Sequence, residues 1–189
     1  MVRRLAAPVL LLVCTTAYGA AGRHRGKGVP ASLLLSYEVT NDQDTMHEVW
    51  FVDGQGRTFA FSRTGGADPL AQALRTESVG GRDAAALITA SRPLPAALSP
   101  AELQRAQALL AAAERSILWT HRRKDPCKLG VNVTVRGYLF SNQNRPATVV
   151  PLRETSCGWR VDENLSPEAQ ELIEWVYRLS GKPRPRLRR

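Results

Sequence analysis

The sequence predicts an α+β domain: two antiparallel β-hairpins form one sheet, and two amphipathic helices pack on one face of it. Three observations support this. Two stretches, 48–63 and 130–153, alternate apolar and polar residues around a polar turn. Two Ser-Pro starts, at Ser99 and Ser166, open runs whose apolar residues recur at steps of three and four. Hydrophobic residues make up 43% of the chain, enough to bury a core.

The N-terminus reads as an export signal. Arg3 and Arg4 precede an apolar run from Leu5 to Val13, and small residues follow at Ala17, Gly19, Ala20 and Ala21. That is the grammar of a cleavable secretory peptide, with the cut after Gly19 or Ala21. The apolar run is shorter than the ~20 residues a spanning helix needs, and Arg23, Arg25 and Lys27 follow it closely. Val13 before Cys14 departs from the small residue a lipidated cysteine takes. The expected organisation is a signal at 1–21, a flexible basic segment at 22–30, one domain at 31–181 and a disordered basic tail at 182–189.

The elements follow in order. Residues 32–40 are rich in β-formers. Residues 48–53 and 57–63 make a hairpin in which Val49, Phe51, Phe59 and Phe61 share a face, with Asp53-Gly54-Gln55-Gly56 as the turn. Asp68-Pro69 starts a short helix through Ser78, and Gly80-Gly81 breaks it. Residues 83–95 fit a short helix or a buried strand, ended by Pro93 and Pro95. Ser99-Pro100-Ala101-Glu102 is a capping box. Leu103, Ala106, Leu110, Ala113 and Ile117 give its helix one apolar stripe, to about Leu118. Residues 130–140 and 147–153 form the second hairpin, centred near 143 and 144. Ser166-Pro167-Glu168 caps a last helix carrying Ala169, Leu172, Ile173, Val176 and Leu179, stopped by Gly181 and Pro183. Leu-Ser-Pro at 98–100 and again at 165–167 hints at an internal repeat.

Once the signal is removed, Cys127 and Cys157 remain, an even pair that in an exported chain predicts a disulfide. Both fall at the open end of the second hairpin. The net charge of +9 sits at the ends. Two cations in the signal, three at 23–27 and five at 182–189 leave residues 29–181 at −1, so no nucleic acid partner is expected. Arg122, Arg123 and Lys124, with Arg184, Arg186, Arg188 and Arg189, are candidate contacts to an anionic surface such as lipid headgroups or acidic polysaccharide. The alternative for the first three is that they offset the negative end of the preceding helix.

Catalytic signatures are missing. His24, His47 and His121 lie far apart, none has a second histidine or a cysteine at i+4, and no HExxH, Gly-x-Ser-x-Gly elbow or phosphate-binding glycine loop occurs. Asn41-Asp42-Gln43-Asp44 lacks the glycine and closing glutamate of a calcium loop. Glu154, Asp162 and Glu163 are expected on exposed turns, and Trp50, Trp119, Trp159 and Trp175 in the core or half-core. No cofactor or metal is expected.

EVWFVDGQGRTFAF at 48–61, then LSPAELQRAQALLAAA at 98–113, then a second hairpin and closing helix, resembles small exported bacterial domains. More remotely the order is similar to that of small proteinaceous inhibitors of secreted metalloproteases. The resemblance covers 32–180 in outline and implies a binding role without assigning any inhibitory residue. The expectation is a periplasmic or secreted protein-binding module. The alternatives are an envelope accessory protein held by its basic ends, and an enzyme that no motif announces.

Overall fold

The computed structural model describes residues 31–41, 46–64, 78–122, 130–140, 146–156 and 160–183. Nine strands are described: β1 (Leu33–Asn41), β2 (Met46–Asp53), β3 (Arg57–Thr64), β4 (Ser78–Val79), β5 (Arg92–Ala97), β6 (Leu118–Arg122), β7 (Val131–Leu139), β8 (Ala147–Ser156) and β9 (Arg160–Asn164). The helices are α1 (Gly81–Ala90), α2 (Pro100–Ala113) and α3 (Pro167–Ser180). Every strand pairing is antiparallel, in the order β5-β3-β2-β1-β7-β8-β9-β6, with β4 against β8. The class is α+β, and the sheet is much larger than two hairpins. Among the described residues no helix is long and apolar enough to cross a membrane.

Both predicted hairpins form. Val49 pairs with Phe61 and Phe51 with Phe59, their rings stacked 5.2 Å apart. At the turn the Asp53 carboxylate accepts from the backbone N–H of Gln55 and Arg57, and Gly56 takes φ +81°, which a residue with a Cβ rarely adopts. In the second hairpin Gly137 pairs with Val150 and Tyr138 with Val149, which centres the connection between 143 and 144, as the alternation requires. The two hairpins meet through β1, which pairs with β7 from Leu35–Gly137 to Asn41–Val131. A central strand is covered on both faces, which explains why Leu33-Leu34-Leu35 does not alternate.

The two faces carry separate cores. One gathers Tyr37, Trp50, Val52, Val135, Val150 and Leu152 with Ala106 and Leu110 of α2 and Leu172, Ile173 and Val176 of α3. The other gathers Leu33, Val49, Phe51, Phe59, Phe61 and Tyr138 with Ala84 and Leu87 of α1. The expected arrangement had two helices on one face; the third helix makes the domain three layers. β1-β2-β3 and β7-β8-β9 are meanders set back to back about the β1–β7 pair, and a Ser-Pro-capped helix follows each.

Local departures have local causes. Gly80-Gly81, read as a break, opens α1, with Gly80 at its N-cap. Pro93 and Pro95, read as terminators, lie within β5, an edge strand, where a missing N–H costs little. α2 stops at Ala113 rather than near Leu118, because the Asn164 side-chain amide takes the Ala113 carbonyl (3.0 Å) and the following residues join β9 as β6. The expected helix at 69–78 lies, apart from Ser78 in β4, outside the described residues. So do the signal, the 22–30 segment, the tail beyond Pro183 and both cysteines of the expected disulfide.

Candidate partner-binding edge

The two edges of the sheet differ in chemistry. β5 carries Pro93 and Pro95, whose nitrogens cannot donate to an added strand. β6 has no proline and, among the described strands, pairs only with β9, from Leu118–Asn164 to Arg122–Arg160. Among the described residues, its outer backbone groups meet no further strand.

Side chains at the same edge are apolar and open to solvent. Ile117 is 89% exposed, Leu165 52% and Trp119 48%. One further step of the β6–β9 register sets Ile117 opposite Leu165, and alternation puts Ile117, Trp119 and His121 on one side of the strand. Trp119 stacks on His121 at 5.2 Å with ring planes 16° apart, so the indole is held rather than swinging free. A lone exposed apolar residue is ordinary; three gathered at an edge strand form a candidate contact surface. Arg115 precedes the strip, and Arg122 ends it.

The base beneath the strip is rigid and polar. Glu163, the cross-strand partner of Trp119, is 1% exposed and lies 3.6 Å from the guanidinium of Arg153, also 1% exposed. Gln170 of α3 donates to the Glu163 carboxylate (3.2 Å) and to the Asn164 carbonyl (2.7 Å). On the other side of β6 the Thr120 hydroxyl donates to Asp162 (2.6 Å), which also pairs with Arg160 (2.8 Å). The Gln170 bonds tie β9 to α3, and the Thr120–Asp162 bond ties β6 to β9.

The candidate residues read from sequence are dispersed. Arg122 is the exposed last residue of β6. Four residues separate α2 from β6, so the reading of this run as the charge-balancing end of a helix is overturned. Arg123, Lys124, Arg184, Arg186, Arg188 and Arg189 lie outside the described residues. Lys182, the first tail residue, folds back onto Glu48 at 3.1 Å. His47 is buried, its Nε2 2.7 Å from Glu38. Glu154, Asp162 and Glu163 belong to strands β8 and β9 rather than exposed turns, and Glu163 is fully covered because it answers Arg153. Trp50 and Trp175 are buried, whereas Trp119 is half open. Among the described residues no group of three His, Cys, Asp or Glu is placed to hold a metal.

Ile117, Trp119 and Leu165 were not anticipated as a surface, since Ile117 extends the α2 stripe at helical spacing. The available signal was the run Ile117-Leu118-Trp119-Thr120-His121, rich in β-formers and alternating, directly after Glu114-Arg115-Ser116. The chain matches no family model, no curated protein and no solved structure.

Proposed function

We propose that this chain is an exported protein-binding module that captures an extended segment of its partner along β6. The observation that carries the reading is the difference between the edges: β5 is blunted by two prolines, while β6 offers an open backbone beside Ile117, Trp119 and Leu165. Strand addition uses main-chain hydrogen bonds for affinity and alternate side chains for selection. The fitting segment alternates apolar residues, which seat on Ile117 and Trp119, with acidic residues facing Arg115 and Arg122. The signal-like N-terminus and the Cys127–Cys157 pair support a place in the periplasm or outside the cell.

The test is capture from an envelope extract, with the partner's footprint read by hydrogen exchange. The full chain and a chain ending at Pro183 are expected to retain the same discrete protein through moderate salt, with slowed exchange in 118–122. Ile117→Glu with Trp119→Ala is expected to lose it while melting as the parent does. Retention indifferent to the β6 variant, or protection elsewhere, refutes the docking edge. Retention that needs residues 184–189 and vanishes with salt supports the envelope-surface reading instead.

A further inference from the structure

A second site lies on the other half of the sheet. Tyr37, Trp50, Ala60 and Arg92 are successive cross-strand partners on β1, β2, β3 and β5, so their side chains stand in one row on the face that α3 covers. Three strand spacings make the row about 14 Å long. Its third member is only a methyl group, and the gap above Ala60, between the indole of Trp50 and the guanidinium of Arg92, is the floor of a cleft of about 300 Å³. Leu94 adds an apolar wall, and the end of α3 supplies Ser180 and Lys182. That volume suits a fragment-sized ligand.

The lining specifies the ligand's chemistry. Trp50 is 5% exposed and lines the cleft, a large apolar side chain for an aromatic ligand to pack against. Tyr37 keeps its phenol proton at all physiological pH, its pKa pushed up to about 12 by burial and by Tyr177 and Glu48. Lys182 is matched by Glu48 at 3.1 Å. Arg92, exposed at the rim, makes no ion pair among the described residues, so the cleft has one positive charge to spare. We propose that this cleft binds a small aromatic monocarboxylate, its ring over Ala60 beside Trp50 and its carboxylate at Arg92.

The probe is indole-3-acetate titrated into the full chain, read at the indole N–H of Trp50 by heteronuclear NMR, with the other tryptophans as internal controls. A saturable shift with Kd below about 1 mM is expected. Tryptamine, with the same ring and the opposite charge, is expected to bind at least about tenfold more weakly, and Arg92→Gln to weaken indole-3-acetate by a similar factor. Ala60→Leu fills the floor and is expected to abolish the shift; Arg92→Gln, an exposed substitution, keeps the test valid if Ala60→Leu unfolds the chain. Absence of a saturable shift by about 1 mM overturns the proposal. So does tryptamine binding as tightly as indole-3-acetate, or an Arg92→Gln chain binding as the parent does.

Discussion

Arg153 and Glu163 show what a single pair costs inside this domain. Both side chains are 1% exposed, and among the described residues Arg153 Nε and Nη1 meet no hydrogen-bond acceptor. Breaking such a pair strands a charge, whereas replacing both members removes it. Arg153→Met is therefore expected to destabilise by about 3 kcal/mol or more, and Arg153→Met with Glu163→Gln to recover most of that, read as midpoints of chemical unfolding. Tyr138 is a second residue whose state depends on burial. Its hydroxyl bonds Ser36 at 2.9 Å, and desolvation pushes its pKa from 10.0 up to about 12. The unfolded chain thus releases its proton first. The stability involved is whole below pH 10 and falls as pH rises toward 12. Tyr138→Phe, combined with Tyr37→Phe, should flatten the alkaline limb of a melting-temperature profile; an unchanged limb would refute the assignment. Gly137 has a steric role: a Cβ there would overlap Leu110 of α2, so Gly137→Ala should cost about 1–3 kcal/mol by overpacking.

At the scale of elements, legibility follows from where the forming interactions lie. α2 and α3 were readable because their starts are local chemistry. Ser99 and Glu102 exchange bonds (2.8 and 3.3 Å), Ser166 accepts from Ala169 (3.2 Å), and Gly181 closes α3 at φ +68°. Ser99→Ala is expected to cost about 1 kcal/mol. Bonds from Ser99 hold the Glu102 carboxyl below its ordinary range, so the capping contribution is present above the usual carboxylate pKa and fades as pH falls through the lowered one. Glu102→Gln should remove that part of the acid limb. β5, β6 and β9 were not readable, since their pairings join residues far apart in sequence: Phe59 with Pro93, Trp119 with Glu163. Ile117 is the telling case. It satisfies a helical stripe, yet Asn164, about fifty positions away, ends the helix before reaching it. The proposed docking edge was hidden with it, because that edge exists only once β6 leaves α2.

Over the whole molecule, two three-strand meanders with matching caps share one sheet, and the centre is the β1–β7 pair. β1, on one side of that joint, is covered along most of its length, with Leu33, Leu34, Leu35 and Tyr37 all buried. The proposed Cys127–Cys157 bridge would act on the second meander, closing a loop worth roughly 3–4 kcal/mol in the chain-entropy reckoning. A thiol count of zero on the mature chain under denaturing, non-reducing conditions, with a melting temperature lowered by reductant, is the expected outcome; two titratable thiols would refute it. The unlike edges set one more property. A sheet that accepts strands on both sides can lengthen without limit, but on the proposed reading this one has a single receptive margin among its described strands. Whatever joins it joins once, so complexes built on this protein should have fixed one-to-one stoichiometry, and two copies meeting edge to edge would terminate as a pair and never seed a filament.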